Sequence, residues 1–579
     1  MEKKRKILIA TAFPTHGAGS GALVTTQAKS YAEAGHDVVI ITGNNRTNFD
    51  KLEGVKYHIV PFTAETENPE KIEGQAPFNY LMFTTHTEST ANFWNIQLKE
   101  LEQYCDLFRK ALKEEVKNFN PDVIHAQHNW LLSSMATEMG KTVVTTIHGT
   151  DLMGYEKSKI KLNEINRKIE KMKKEAENAE SEVKLSEIGL VEEVYRKANK
   201  SNDIIREIQA LLKSNKISMS KASLMRLMNA YDEQKKYKFY MSEAEKSAKN
   251  SEKIIVISDA QKEKFGKLFP YAADKVVLLE NGYDPKIFYQ DNNVDKNIIS
   301  ELISDNSKDG KISTNYDGLI LFVGKFADFK GIDSMLTAAK KYEEQLTAQG
   351  KNPLTIVVGS GALEKKLKSQ AAELGLKNTH FVGRQSHDVI RKLQNLADVS
   401  LIPSRNEPFG LVVIEGTACG HPVIGSNSGG IPGILNTTKK QLVSDEKIIK
   451  TPLGILVKPL PERPESLQDT QLDELDGFAT SFVVSDNSKR KEILEVAKSK
   501  LNIDSNVLNK YFSAYTESTD ALSEAVVKIV GKEITFDNNA IAEYTKNNYS
   551  QEIIRNKLFG IFDEAQKLNK NKGEEQIVL

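Results

Sequence analysis

The sequence has little cysteine, no long hydrophobic run and no excess of either charge. Two cysteines, Cys105 and Cys419, are too few for a disulfide framework, which favours a reducing compartment. The apolar run I-L-I-A near the start is too short for a signal peptide or a membrane span, and no later stretch is long enough to cross a bilayer. We therefore expect a soluble cytoplasmic protein, and peripheral contact with a membrane stays open.

The charge balance also limits the partners. The chain has 79 Lys plus Arg and 79 Asp plus Glu, so its formal net charge is zero and no global basic field attracts nucleic acid. We expect no nucleic-acid partner. A length of 579 residues exceeds one ordinary hydrophobic core, which predicts two domains or more.

The first 44 residues predict the opening of a parallel α/β sheet. A short apolar strand is followed by a loop with Gly17, Gly19 and Gly21, then by a segment with helical spacing and a second strand. Such a loop lets a ligand approach the backbone at a helix start, although a plain tight turn explains it equally well. The second strand ends in T-G-N at residues 42–44 and lacks the acidic residue of a dinucleotide site, which disfavours nicotinamide binding.

Three histidines lie at the predicted ends of two further strands. His125 and His128 belong to P-D-V-I-H-A-Q-H-N-W, and His148 to T-V-V-T-T-I-H-G-T-D. The carboxyl ends of parallel strands are where ligands bind, so we expect at least one histidine to be functional and favour His148. The alternative is that each is a satisfied structural residue.

The stretch from about 155 to 250 is rich in lysine and glutamate and contains no proline. Its apolar residues step alternately by four and three, the spacing of a coiled-coil seam: Ile165, Ile169, Met172, Ala176, Ala179 and Val183. We expect a bundle or hairpin of two or three helices. It is either a helical lid on its own domain or a surface for self-association or for a large acceptor.

The second half repeats the alternation of apolar strands and glycine turns. Residues 290–316 show no periodicity and are predicted to link the two domains, while the charged stretch 462–520 interrupts the rhythm like an insertion. The predicted organisation is an N-terminal domain at 1–289 with a helical insertion at about 155–250, a linker at 290–316, a C-terminal domain at 317–545 with an insertion at about 462–520, and a final helix at 546–579 that crosses back to the first domain.

The most informative stretch is P-S-R-N-E-P-F-G-L-V-V-I-E, which begins at Pro403. Pro408 and Gly410 predict that a helix starts between Glu407 and Glu415, with Glu407 in the preceding loop and Glu415 about one turn inside. Free backbone N–H groups attract a phosphate, and carboxylates accept hydrogen bonds from sugar hydroxyls. The alternative is a first-turn charge favoured by the helix dipole and a solvated surface residue.

Several further motifs stand in a fixed order around this stretch: H-G-T-D and E-N-G-Y-D in the first half, and F-V-G-K-F-A-D-F-K-G, V-V-G-S-G, F-V-G-R, A-D-V-S-L-I-P-S, S-G-G-I-P and L-G-I-L-V-K-P in the second. Together with E-P-F-G-L-V-V-I-E, they resemble the retaining glycosyltransferase family 4. The resemblance covers roughly 7–150, 251–289 and 317–461 and the last helices. It implies an α/β GT-B fold, in which two Rossmann-like domains face each other across a cleft, with an α-helical coiled-coil-like segment inserted in the first.

The resemblance also implies roles for individual residues. Glu415 would accept the ribose hydroxyls of a sugar nucleotide, Glu407 would hold the donor sugar, and Lys330 and Lys325 would neutralise the diphosphate. The family commonly places Arg where Lys325 stands, and Lys lacks the bidentate fork. The implied catalytic residues are His148, Lys325, Lys330 and Glu407, and the implied donor-binding residues are Gly17, Gly19, Gly383, Arg384, Pro408, Phe409, Gly410, Leu411 and Glu415.

The implied reaction is a retaining transfer of a hexose from a nucleotide diphosphate to an acceptor hydroxyl. By family frequency the donor is UDP-glucose or UDP-GlcNAc, while the acceptor stays open between a glycan, a lipid, a small alcohol and a protein. No Asp-X-Asp occurs in the sequence, so we expect neither a metal nor another cofactor. The alternatives are a non-catalytic GT-B scaffold that acts through its helical insertion, which could also form a homo-oligomer, and another GT-B enzyme such as a sugar-nucleotide epimerase.

Overall fold

The structure is a computed structural model that describes residues 4–15, 19–84, 88–177, 183–198, 200–306, 315–437, 446–464, 467 and 469–578. These residues divide into two compact units. The first comprises the described parts of Met1–Ile257, Lys262–Leu279 and Arg555–Leu579, and the second those of Ser258–Gln261 and Glu280–Ile554. Within these residues, no helix is both long and apolar enough to cross a membrane.

The first unit contains a sheet of seven parallel strands in the order β3-β2-β1-β4-β5-β6-β7. This is the Rossmann strand order extended by one strand. The elements in this part of the chain are β1 (Lys6–Ala10), α1 (Gly19–Glu33), β2 (Asp37–Asn44), β3 (Val55–Pro61), α2 (Leu98–Asn118), β4 (Val123–Gln127), α3 (Leu131–Thr137), β5 (Thr142–Ile147), α4 (Thr150–Ala176), α5 (Leu185–Lys197), α6 (Ser201–Lys213), α7 (Lys221–Asn250), β6 (Lys253–Val256), α8 (Asp259–Leu268) and β7 (Val276–Leu278).

The second unit repeats this order, β10-β9-β8-β11-β12-β14, and β13 pairs antiparallel with β14 at the edge. The elements from here to the chain end are α9 (Asn297–Asn306), β8 (Gly318–Val323), α10 (Ile332–Ala348), β9 (Pro353–Val358), α11 (Glu364–Glu373), β10 (Thr379–Gly383), α12 (His387–Leu396), β11 (Val399–Ile402), α13 (Leu411–Ala418), β12 (Val423–Ser426), α14 (Ile431–Leu435), β13 (Ile448–Thr451), β14 (Gly454–Val457), α15 (Asp469–Val483), α16 (Asn487–Leu501), α17 (Ser505–Val530), α18 (Asn538–Tyr549) and α19 (Gln551–Val578).

Both faces of the second sheet are covered, which explains its continuous hydrophobic strands. Along β8, Ile320 and Phe322 pack into a cluster with α10 and α17, whereas Leu319 and Leu321 pack on the other side with α9 and α12. Successive side chains of a strand point to opposite faces, so a strand that is buried on both sides needs apolar residues at every position. The sequence therefore shows runs rather than alternation. The α/β fold of two parallel-rich sheets agrees with the prediction.

The segment at 155–250 contains α5, α6, α7 and most of α4. Its buried residues belong to the same hydrophobic cluster as the first sheet. Polar contacts anchor α7 as well, because Ser247 Oγ lies 2.7 Å from Ser133 Oγ and the Ser134 hydroxyl donates to Glu243 at 2.7 Å. Ile165 and Ile169 of the predicted seam are buried, whereas Ala179 lies outside the described residues.

The boundary between the units differs from the predicted linker at 290–316. The two units divide between Leu279 and Glu280, and α9 lies inside the predicted linker, with Ile299 and Ile303 buried against the second sheet. Ile298 and Leu302 lie next to them with the same spacing of four, about one helical turn, but the stretch on either side of these four residues is polar. The last part of the chain, from Arg555, belongs to the first unit, where Arg5 donates to Asp563 at 2.7 Å.

Gly331 generates a prediction about stability. Its φ is +65°, and a Cβ added there would lie 2.2 Å from the backbone oxygen of Pro403. Gly331→Ala should therefore lower the free energy of unfolding by clearly more than the roughly 1–2 kcal/mol cost of the left-handed conformation alone. Gly350 is the matched control, because its φ is +73° but no heavy atom among the described residues lies within 4 Å of the added Cβ. Urea denaturation of both variants measures this difference, and equal losses would contradict the close packing.

Candidate functional site

The second unit brings two of its loops together where the strand order reverses. β8 and β11 are neighbours, and the chain leaves them in opposite directions along the sheet, towards β9 and β12. Such a switch point opens a crevice at the carboxyl ends of the two strands. The loop after β8 (residues 324–331) and the loop after β11 (residues 403–410) meet there, because the Arg405 N–H donates to the Phe329 carbonyl at 2.8 Å.

An ion pair joins these two loops. The Lys330 ammonium lies 2.5 Å from Glu407 Oε2, and the Ser404 hydroxyl donates to the same oxygen at 3.1 Å. Glu407 is only 8% exposed, so its charge is held largely away from water. A partly buried lysine whose ammonium group is fixed by an ion pair is suited to bind a second anionic partner such as a phosphate.

Glu415 lies where the sequence predicts it. Helix α13 begins at Leu411 after Gly410, which has a φ of +107°, so Glu407 precedes the helix and Glu415 lies just over one turn inside. Burial raises the pKa of Glu415 to about 7, and the nearby charge of Lys330 opposes this rise. The carboxyl is therefore poised between its two protonation states near neutral pH.

The glycine turn after β12 packs against the backbone between Glu407 and Gly410. The Gly430 N–H donates to the Glu407 carbonyl at 2.7 Å, and a Cβ on Gly429 would lie 2.2 Å from that oxygen. Only glycine permits so close an approach. The motif S-G-G-I-P is the sequence signal for this support, although we assigned it no site role from the sequence.

Pro408 and Phe409 are also held in place. The Ser258 hydroxyl donates to the Pro408 carbonyl at 2.8 Å, and the buried Phe409 ring packs edge-on against Tyr549 at 6.5 Å between ring centroids. Ser258 carried no site prediction. Its signal is a serine directly after an apolar strand, which is too common to be specific.

Lys325 belongs to the same loop as Lys330, whereas the predicted base-binding residues lie on another strand. The Ala327 N–H donates to the Lys325 carbonyl at 2.8 Å, and the Lys325 side chain is exposed. Gly383 ends β10 with a φ of +69°, and its carbonyl accepts from Gly359 at 2.9 Å. Arg384 is exposed. The structure thus brings Lys330, Glu407 and Glu415 together around the start of α13.

The predicted histidines separate into different roles in the first unit. His148 follows β5, and its Nε2 lies 2.8 Å from Gln127 Oε1. Burial lowers the pKa of His148 to about 4, so its imidazole is neutral at physiological pH. His125 instead lies inside β4, between the Tyr31 hydroxyl at 3.2 Å and the Thr146 hydroxyl at 2.8 Å, which makes it a satisfied core residue.

Unpaired polar atoms surround His148. Gln127 Nε2, His128 Nδ1 and both side-chain polar atoms of Asn129 are buried and have no hydrogen-bond partner among the described residues. His128 has a φ of +70°, which is uncommon for a residue with a side chain. Buried polar groups normally find partners, so this edge of the first sheet is chemically suited to a polar ligand. We did not predict Gln127 or Asn129 as site residues.

Gly19 is the first residue of α1, and Gly17 lies outside the described residues. In the described ranges, no group of three or more His, Cys, Asp or Glu side chains is arranged to hold a metal ion.

Comparisons with known proteins match one region in each of the two units to a family model. Residues 17–178 match the family model described as Glycosyltransferase Family 4, and residues 305–451 match the model described as Glycosyl transferases group 1. An uncharacterized glycosyltransferase of Methanocaldococcus jannaschii is 32% identical over 183 residues, which are 31% of this chain and 44% of that protein. The chain therefore matches less than half the length of this curated relative.

Two solved structures are similar over most of the chain. Sucrose-phosphate synthase from Thermosynechococcus elongatus has a TM-score of 0.49 at 16% identity and covers 97% of this chain and 99% of its own. The Anabaena protein HepE, in complex with UDP and glucose, has a TM-score of 0.46 at 13% identity and covers 96% and 99%. The two family models match successive regions that together exceed half of the sequence, and each region falls on one of the two Rossmann-ordered sheets. Residues 17–178 and 305–451 thus belong to the family 4-like glycosyltransferases.

Proposed function

We propose that this protein transfers a hexose, with retention of anomeric configuration, from a nucleotide-diphosphate sugar to an acceptor hydroxyl, without a metal ion. The observation that carries the proposal is the Lys330–Glu407 pair at the switch point, beside the start of α13. It supplies a cation for the diphosphate and a carboxylate for sugar hydroxyls within one contact. The M. jannaschii relative supports the glycosyltransferase class but not a particular substrate, because the match covers less than half of that protein.

In the proposed reaction, the bond between the anomeric carbon and the diphosphate oxygen breaks while the acceptor oxygen bonds to the same carbon. The acceptor proton passes to the leaving phosphate, so no protein base is required. The negative charge that develops on the leaving group would be stabilised by Lys330 and Lys325 and by the N–H groups of Gly410 and Leu411 at the start of α13. These groups stand in position before the bond breaks.

Glu407 and Glu415 would divide the recognition of the donor. When the donor diphosphate replaces Glu407 as the partner of Lys330, the Glu407 carboxylate becomes free to accept hydrogen bonds from the donor sugar. Glu415 accepts hydrogen bonds from the ribose hydroxyls. His148 is neutral, which suits a hydrogen bond to a sugar hydroxyl better than a charge contact. We propose a UDP-sugar as the donor, with Gly383 and Arg384 receiving the base through backbone groups.

The experiment that tests this function uses the full chain with UDP-, GDP- and ADP-sugars and a panel of glycan, lipid, alcohol and peptide acceptors. NMR of the product determines the anomeric configuration. We expect transfer with the donor's configuration retained. Products with the inverted configuration only, or epimerisation of the donor without transfer, would refute the proposed reaction.

The first prediction from the proposed function concerns Lys330. Lys330→Ala should lower kcat by about 100-fold or more, because a preorganised charge that stabilises the leaving group is removed. Lys340→Ala is the matched control, since Lys340 on α10 pairs with Glu344 at 2.9 Å, outside the two site loops. Steady-state kinetics measure both variants, and circular dichroism establishes that each is folded. Near-normal turnover in folded Lys330→Ala would exclude the phosphate role.

The second prediction concerns the pH dependence of donor binding. Only the ionised Glu415 carboxylate can accept both ribose hydroxyls, and its pKa of about 7 leaves it mostly protonated at pH 6. The affinity for UDP should therefore rise about 10-fold between pH 6 and pH 8 through this group. Calorimetry on the wild type and on Glu415→Gln measures the effect, because the titration of UDP itself is common to both. Parallel pH profiles for the two proteins would contradict the assignment.

A further inference from the structure

A network of charged residues lies in the second unit next to the two site loops, and the mechanism above does not use it. It consists of two arginines and three aspartates: Asp328, Asp333, Arg405, Arg463 and Asp476. Arg463 and Asp476 belong to the stretch at 462–520, which lies outside the family resemblance. The match to the Glycosyl transferases group 1 model ends at residue 451. The stretch at 462–520 therefore supplies the second unit with an arginine and an aspartate of this network that no family motif contains.

The position of each residue in the chain links the network to the site. Asp328 precedes Lys330 by two residues, and Asp333 follows it by three. Arg405 precedes Glu407 by two residues. A shift of any of these three residues would be transmitted to the lysine or the glutamate of the site through two or three peptide units.

Asp476 on α15 connects the two arginines. Its Oδ1 lies 3.0 Å from Arg405 Nη2, and its Oδ2 pairs with Arg463. The Tyr511 hydroxyl on α17 donates to Asp476 Oδ1 at 2.5 Å. Asp476 is 4% exposed, so these partners replace water around its charge.

Arg463 also forms an ion pair with the loop that contains Lys330. Its guanidinium contacts both carboxylate oxygens of Asp328, with Nη2 at 2.5 Å from Oδ1. A bidentate fork fixes direction as well as distance, which a single contact does not. The Arg405 guanidinium lies 3.7 Å from Asp333 and donates to the Pro461 carbonyl at 3.3 Å. Both loops are thus tied to the same buried carboxylate.

The network contains one more carboxylate than guanidinium groups. Three carboxylates face two guanidiniums, and burial together with the neighbouring Asp476 raises the pKa of Asp333. The Tyr515 hydroxyl donates to Asp333 at 3.2 Å and satisfies it further. Such a network is specific in geometry because every member depends on the others, and loss of one leaves a buried charge unpaired.

We propose that Asp476 is a positioning residue for the transfer reaction: through Arg405 and Arg463 it holds the loops of Glu407 and Lys330 at the separation that catalysis requires. This inference rests on the proposed function. The helices α15–α17 then serve as a buttress for the donor site. Asp476 touches no reacting group, and its effect on turnover passes entirely through the two loops.

The test is a double-mutant cycle with Asp476→Asn and Lys330→Ala. Asp476→Asn keeps the side-chain volume and removes the charge, so we expect kcat to fall about 10- to 100-fold while the KM for the donor changes much less. In the Lys330→Ala background the same substitution should lower kcat by a clearly smaller factor, because the part of its action that passes through that lysine is already lost. Additive effects, or an unchanged kcat in Asp476→Asn, would overturn the proposal.

Asp473→Asn is the matched control. Asp473 lies on the same helix, half exposed, and pairs with Lys366 at 2.9 Å, away from the network. It should leave kcat unchanged. If Asp476→Asn fails to fold, Tyr511→Phe replaces it in the cycle, because it removes one hydrogen bond from Asp476 and retains the ring. A smaller loss that is again not additive with Lys330→Ala is expected.

A second measurement does not depend on activity. Hydrogen exchange of peptides covering 324–331 and 403–410, followed by mass spectrometry, should be faster in Asp476→Asn than in wild type and unchanged in Asp473→Asn. If the wild type transfers no sugar, the proposed function is refuted and the exchange data alone decide the positioning role. Unchanged exchange in both loops would overturn that role even in an active enzyme.

Discussion

The reversal of strand order beside β8 is the constraint on which the second unit depends. Parallel strands require crossover connections, and where these leave in opposite directions two loops face one another without a helix between them. Here those loops carry Lys330 and Glu407, whose 2.5 Å contact is possible only because β8 and β11 are adjacent. The glycine at 331 follows from the same constraint, since the Pro403 carbonyl occupies the space of a side chain. The site is a consequence of topology as much as of the residues in it.

The charged groups of the second unit form two sets. In one set, at the switch point, Lys330 pairs with Glu407 and would exchange this partner for a ligand, and Glu415 lies nearby. In the other set, Arg405 and Asp476 pair with each other inside the buried network. Exchangeable contacts permit binding, whereas permanent ones hold geometry. The first unit follows a similar division, because both ring nitrogens of His125 have partners, while the buried side-chain polar atoms of Asn129 have none within the described part of the chain.

Sequence patterns were informative where the chemistry is local. The helix start between Glu407 and Glu415 follows from a proline and a glycine, and the structure confirms it. The same reasoning did not find α9, because the four apolar residues of α9, although they show helical spacing, stand in a stretch that is polar on either side. It also placed His125 at a strand end, although the strand continues to Gln127 and the ring is enclosed by Tyr31 and Thr146. Enclosure depends on neighbours that are distant in sequence, which periodicity does not report.

The sequence by itself indicated the family through the order of motifs along both halves of the chain. It also determined the alternation of strands and helices and the two glutamates around a helix start, since each of these depends on residues within about ten positions of one another. Only the tertiary structure decided that Lys330 pairs with Glu407, 77 residues further along the chain, and that Asp476 reaches the loops of both. The physical reason is that charge pairing in a buried site depends on distance in space and on the exclusion of water. The charged stretch at 462–520 was predicted from the sequence to be an insertion, and its folding within the second unit buried Asp476.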